Sequence, residues 1–268
     1  MWNTGGMEKQ NFTGAQVAIT GGASGIGFAL GKALLAAGAN VTLGDWNAKS
    51  LAEVTEQLSN YGDRVTGMQL DVSDQQQVAK FVTEAAARGG RLDYLFNNAG
   101  VGGAKPTMDW TLADWQRIIN INMWGTIYGV MAAMPIMVAQ GNGHIVNTAS
   151  IWGLLPGIYE VPYSTSKHAI VGLSESLSYE LAPKGVQVTV LCPAGVVTGI
   201  FAEGTAPADA ISADEAAQEI MRGLASGEVI IPIGEPAVVA WGQHQTDPPA
   251  IHDYLIKREA AMRAGFGK

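Results

Sequence analysis

The chain has 268 residues, longer than one domain usually needs, yet one large parallel sheet covered by helices on both faces absorbs that length. Hydrophobic residues make up 47% and charged residues 15%, which suits strands buried on both faces, and a formal net charge of −8 without any Lys/Arg run argues against nucleic acid as a partner. A single cysteine, Cys192, excludes an internal disulfide; with no apolar core of signal-peptide length near Met1 and no run of about 18 consecutive apolar residues, the expectation is a cytoplasmic protein with no membrane partner.

Apolar, β-branched runs at 15–20, 40–45, 64–70, 92–97, 144–150, 186–191 and 228–233 predict seven strands. Helical spacing occupies 26–37, 48–60, 75–88, 112–140, 161–182 and 213–225 between them. The segment 112–140 contains Gly125, Gly129 and Pro135, which predict a kink or a helix in two pieces. Beyond residue 233 the tail passes Gly234, Glu235 and Pro236 and then Asp247-Pro248-Pro249 before a helix-like stretch at 251–263, in which nothing reads as catalytic. Regular strand–helix alternation implies right-handed βαβ units, hence an α/β fold with a doubly wound Rossmann-type parallel sheet of about seven strands and helices on both faces. Ligands are then expected beyond the carboxyl ends of the strands. The domain reading is a flexible N-terminus at 1–14, a cofactor-binding and catalytic domain at 15–233, and a C-terminal extension at 234–268 packing on the same domain.

The first strand leads into Thr20-Gly21-Gly22-Ala23-Ser24-Gly25-Ile26-Gly27 and then a helix. Glycines permit positive φ, let a pyrophosphate approach the backbone and bring the helix close to the sheet, with its first amides facing the anion. A glycine-rich turn alone is also how an ordinary tight turn reads; the flanking strand and helix favour the nucleotide. The second strand ends at Asp45, 18 residues after Gly27, near the offset at which a carboxylate reaches the adenosine ribose. That charge repels a 2′-phosphate, and Lys49 is the nearest cation, so NAD is expected over NADP.

Tyr163 and Lys167 stand four apart at the start of a helix and share one face. Lowering a phenol from about 10 to about 7 takes roughly 4 kcal/mol, which one cation about 4 to 5 Å away can supply before desolvation is subtracted. Alone, the pair reads as a common helical surface contact. Its company is Ser150, closing the fifth strand, Asn122, polar within an apolar helical stretch, and Asn97-Asn98-Ala99-Gly100, ending the fourth strand.

These motifs, together with Asp71-Val72, resemble in order and spacing the short-chain dehydrogenase/reductase family from residue 15 to about 233. The resemblance implies Tyr163 as general base in oxidation and acid in reduction, Lys167 lowering its pKa and binding the nicotinamide ribose, and Ser150 orienting the substrate oxygen. It implies that Asn122 holds a water linking Lys167 to solvent, that Asp71 and Val72 line the adenine site, and that Asn98 and Gly100 border the cofactor. Gly21, Ser24, Gly25, Ile26 and Gly27 complete the cofactor loop, with Pro193, Val196 and Thr198 beside the nicotinamide. Hydride then passes directly between cofactor and substrate carbon, with no metal; His144, His168, His244 and His252 show no metal-ligand spacing. The chain departs from the family where Ala194 takes the place of a glycine after Pro193, which puts the backbone path there in doubt. Cys192 reads as buried core.

Trp152, Leu154, Leu155, Ile158, Tyr159, Val196 and Phe201 are expected near the nicotinamide, and no arginine occurs between Arg117 and Arg222. A neutral, largely hydrophobic secondary alcohol or ketone is therefore the expected substrate, under a lid in 198–214. A lyase, epimerase or dehydratase on the same scaffold, or a non-catalytic NAD sensor, are the alternatives. Family resemblance implies a homodimer or homotetramer, built through the long helices around Asn122 and Tyr163.

Overall fold

The computed structural model describes residues 12–200 and 206–266. In chain order it contains β1 (Gln16–Thr20), α1 (Gly25–Ala36), β2 (Asn40–Asp45), α2 (Ala48–Gln57), β3 (Val65–Gln69), α3 (Gln75–Ala87), β4 (Tyr94–Asn97), α4 (Leu112–Ile118), α5 (Gly125–Gln140), β5 (Gly143–Thr148) and α6 (Val161–Leu181). There follow β6 (Val186–Pro193), the two-residue strands β7 (Val196–Val197) and β8 (Ile211–Ser212), α7 (Ala213–Gly223), β9 (Ile230–Ile233), α8 (Glu235–Thr246) and α9 (Pro248–Phe266).

Seven strands form one sheet in the order β3-β2-β1-β4-β5-β6-β9, every neighbouring pair parallel. The order reverses between β1 and β4, and at that switch point the chain leaves the sheet on opposite sides, opening a crevice at the carboxyl ends. One face buries Ile19, Leu43 and Val146 under Leu30, Leu34, Val54 and Ile220 of α1, α2 and α7. The other buries Ala18, Leu95 and Ile145 under Phe81, Val130, Met137 and Leu181 of α3, α5 and α6. Strands covered on both sides need the continuous apolar runs seen in the sequence rather than alternation.

Residues 112–140 form one helical run, with the π-helical stretch Ile119–Trp124 between α4 and α5. The two pieces expected here are α4 and α5, joined by that stretch, and the two glycines are close-approach positions. A Cβ on Gly125 would stand 3.0 Å from the Val72 side chain, and one on Gly129 would overlap the Asn97 amide. By length and composition alone the run is apolar enough to cross a bilayer, which a count of consecutive apolar residues did not reveal. Val130, Ala133 and Met137 spend part of that apolarity inside the core.

At the N-terminus, residues 1–11 of the expected flexible segment lie outside the described residues. Residues 12–14 are held: Phe12 is buried against Tyr94, and the Gly14 amide donates to the Gly38 carbonyl at 2.9 Å. The tail carries one helix more than expected, α8, which starts after Gly234 at φ 85° with Pro236 in its first turn, where a missing N–H costs nothing. Ala237 of α8 and Ile251 and Leu255 of α9 join Leu155, Ile170 and Cys192 in a third buried cluster.

Candidate active site

At the carboxyl end of β1, Gly21 has φ 67° and Gly25 φ 51°, both in the left-handed region that a side chain disfavours. A Cβ on Gly27 would collide with the Gly21 carbonyl. Ser24 precedes α1 without capping it through its side chain, so its hydroxyl stands at a helix N-terminus whose first amides point outward, beside Ile26. Asp45 is buried at the end of β2; one oxygen accepts the Ala23 amide and the other the Asn47 amide, each at 3.0 Å. Each oxygen keeps a lone pair for a ribose hydroxyl. Lys49, across the turn, is turned to solvent with its ammonium 3.9 Å from Glu53.

Thr20 and Asn98 lock this loop to the end of β4. The Thr20 hydroxyl accepts the amides of Asn98 and Ala99, each at 3.0 Å, and the Asn98 side chain donates to the Thr20 and Gly21 carbonyls at 3.1 and 3.3 Å. Thr198 closes the loop from the other side: a Cβ on Gly25 would stand 2.8 Å from its methyl. Val72 is buried beneath Gly125, while Asp71 is exposed and accepts the amide and hydroxyl of Ser73. Glycines without side-chain clearance, an uncapped helix start and a carboxylate with spare lone pairs fit a dinucleotide laid across the switch point.

Tyr163, Lys167, Ser150 and Asn122 converge at the ends of β4, β5 and α6. Tyr163 and Lys167 are buried on one face of α6, with the Lys167 Nζ 5.5 Å from the Tyr163 ring centre. Nζ donates to the Thr148 carbonyl at 2.8 Å. Ser150 accepts the Trp152 amide at 3.2 Å, leans toward the Pro193 carbonyl at 3.5 Å and shares a hydrogen bond with Tyr163. Burial pushes the Tyr163 phenol upward, opposed by the Ser150 hydrogen bond, with Glu160 and Cys192 adding to the rise. Burial also brings Lys167 down to about 8. Burial is the leading influence on both groups, disfavouring the phenolate and the ammonium alike.

Asn122 sits in the π-helical stretch, fully buried. Its Oδ1 accepts the Val101 amide at 2.8 Å and its Nδ2 donates to the Val101 carbonyl at 2.9 Å and to Ser166 Oγ at 3.1 Å. The side chain thus clamps the loop after β4, and the main-chain carbonyl accepts Thr126 Oγ1 at 2.8 Å. Gly100 lies over this group; a Cβ there would be 3.4 Å from Asn122 Oδ1 and 3.5 Å from Lys167 Nζ.

After β6, Ala194 keeps an ordinary backbone and donates to the Ile233 carbonyl at 3.0 Å, so no glycine is required there. Val196 pairs with Ile211 and is buried in the core. Cys192 is buried, its thiol pushed up to about 12 by burial. Phe201 lies outside the described residues. Leu154, Leu155, Ile158 and Trp152 pack mainly into the third core cluster, so only part of this group is left to face a substrate. The Tyr159 hydroxyl donates to Glu259 at 2.7 Å, and the Arg258 guanidinium lies 5.0 Å from the Trp152 ring centre. The wall that looked arginine-free along the sequence therefore receives an arginine from α9. Lys105, whose amide donates to the Tyr159 carbonyl at 3.0 Å, stands over Trp110 across the cleft. No motif marked Thr148, Ser166, Lys105 or Arg258; Thr20 alone stood within one.

A nucleotide crevice at the switch point beside a Ser–Tyr–Lys cluster defines an oxidoreductase that uses a nicotinamide cofactor. The short chain dehydrogenase family model matches residues 15–208, and the chain belongs to that family. It is 34% identical to 3beta-hydroxysteroid dehydrogenase 2 of Eggerthella lenta over 189 residues, 70% of this chain and 73% of the relative. A short-chain dehydrogenase/reductase of Burkholderia phymatum, solved in complex with NAD, superposes with a TM-score of 0.78 at 32% identity over 86% of this chain and 92% of that one. ElxO, solved with NADP bound, superposes with a TM-score of 0.76 at 26% identity over 85% and 100%.

Proposed function

We propose that the protein is an NAD-dependent oxidoreductase interconverting a neutral, largely hydrophobic secondary alcohol and its ketone. The observation that carries this reading is the meeting of Ser150, Tyr163 and Lys167 beside a nucleotide crevice whose ribose end carries Asp45. Gly21, Ser24, Gly25, Ile26 and Gly27 would hold the pyrophosphate, Asp45 the adenosine ribose, Asp71 and Val72 the adenine edge, and Asn98, Gly100, Pro193, Val196 and Thr198 the nicotinamide half. When bound, the nicotinamide supplies the site that accepts or returns the hydride. Tyr163 takes the hydroxyl proton in oxidation and returns it in reduction; Ser150 holds the substrate oxygen; Lys167 binds the nicotinamide ribose and supports the phenolate. Asn122 is a positioning residue, holding the Val101 loop and, through its carbonyl, a water beside Lys167.

The NAD preference is supported by Asp45, which a 2′-phosphate would have to face, and by the outward turn of Lys49. A neutral substrate is supported by the apolar side chains of Trp152, Leu154 and Ile158 and by Glu160, whose carboxyl burial pushes up to about 7 against the opposing pull of Arg258. A relative named for a hydroxysteroid acts on such a molecule. Residues 15–233 form the cofactor-binding and catalytic unit, with 234–268 as an extension of the same domain. Exposed Met131 on α5 and Tyr179 on α6 favour a homodimer or homotetramer through those helices, and the lone buried Cys192 is consistent with a reducing cytoplasm. The test is a panel of secondary alcohols and ketones with NAD and with NADP, read by absorbance of the reduced nicotinamide. Turnover of bulky neutral alcohols with NAD is expected; preference for NADP, or turnover of none, would sink the reading.

A further inference from the structure

The family match ends at residue 208, yet α9, forty residues further on, grips the substrate side of the site. The gripped segment is 152–160, immediately before Tyr163. Among the described non-glycine residues Tyr159 alone has positive φ, 62°, a conformation that crowds an L side chain and persists only when its surroundings impose it. Three elements impose it. The loop after β4 supplies the Lys105 amide to the Tyr159 carbonyl at 3.0 Å. Ser164 of α6 donates to the Trp152 carbonyl at 2.9 Å and accepts the Gly157 amide at 3.1 Å. From α9, Glu259 accepts the Tyr159 hydroxyl at 2.7 Å and Arg258 stacks its guanidinium over Trp152.

We propose that Arg258 and Glu259 are positioning residues that clamp segment 152–160 against α9 and so set the width of the substrate wall beside Tyr163. The inference rests on the proposed role of Tyr163 in alcohol oxidation. Tyr159 is on this account a strut of the wall, its polar end spent on Glu259, rather than a substrate contact. Size selection for the alcohol then lies in a helix beyond the span that defines family membership.

Glu259→Ala, Tyr159→Phe and Glu259→Gln are compared with the exposed control Lys257→Ala. KM and kcat are measured for a bulky cyclic secondary alcohol and for propan-2-ol, NAD affinity by fluorescence titration, and hydrogen exchange for peptides spanning 152–160. Loss of one net hydrogen bond predicts a KM for the bulky alcohol raised about fivefold in Glu259→Ala and Tyr159→Phe. The KM for propan-2-ol, kcat and NAD affinity stay unchanged, and the 152–160 amides exchange faster. Glu259→Gln, which keeps an acceptor oxygen, tracks the parent. An unchanged ratio of the two KM values overturns the proposal even if exchange accelerates. Should the parent oxidise no alcohol at all, the reading of Tyr163 fails separately, and unchanged exchange in Glu259→Ala would overturn the clamp by itself.

Discussion

The Lys167 ammonium lies 5.5 Å from the centre of the Tyr163 ring and spends a hydrogen bond on the Thr148 carbonyl. Burial raises the phenol and lowers the ammonium to about 8. Oxidised nicotinamide would add a positive charge close to Tyr163, and a nearby positive charge favours the phenolate. Difference absorbance of the phenolate between the parent and Tyr163→Phe is therefore expected to appear at lower pH once NAD is added. The same titration midpoint with and without NAD would refute this.

Replacing Tyr163 by Phe removes the proton carrier but leaves the ring packed. Turnover of the best alcohol should fall by about 10²- to 10⁴-fold, the usual worth of a positioned acid–base group. Cofactor binding, measured by fluorescence titration, should persist. Full retention of kcat would assign the proton transfer elsewhere.

Asp45→Asn keeps an acceptor for the ribose and for Ala23 but discharges the site. The ratio of kcat/KM for NAD over NADP should drop by about tenfold or more, since a like charge within reach costs on the order of 1 to 4 kcal/mol near a surface. An unaltered ratio would show that cofactor choice lies outside this carboxylate.

Gly27→Ala would drive a methyl into the Gly21 carbonyl. Backbone cannot yield there as a flexible side chain would, so the loop must shift. NAD affinity is expected to fall by at least about 1.4 kcal/mol, or tenfold. Circular dichroism separates a displaced loop from a lost fold.

His144 is fully buried at the start of β5, its Nε2 2.9 Å from Thr189 Oγ1, and burial brings its imidazole down to about 4 from 6.5. Between those values the unfolded chain binds the proton and the native one does not. The associated stability is thus whole above about pH 6.5 and is lost as pH falls toward 4. The loss is at most about 3 kcal/mol. Thermal melts from neutral to acid pH should fall more steeply for the parent than for His144→Gln; parallel curves would contradict the burial argument.

The seven parallel strands, the glycine loop, Asp45 and the Tyr163–Lys167 pair were legible along the chain because each depends on local order: periodicity, turn chemistry and helical spacing. Segment 112–140 was legible in its two pieces but not in the role of its glycines, for a related reason. Gly125 and Gly129 read locally as breakers, whereas Val72 and Asn97 press on them from other elements. Ala194 likewise put the backbone path in doubt where a glycine was expected, and the backbone there is ordinary.

By itself, then, the sequence determined the sheet, the order of its strands' functional ends and the chemical types gathered there. Only the tertiary structure decided the state of those groups. Burial depth sets the proton affinities of Tyr163 and Lys167, and burial is a sum over neighbours far apart in the chain. The substrate wall belongs to the same category. Arg258 and Glu259 reach Trp152 and Tyr159 across about a hundred residues, a distance that no local pattern spans.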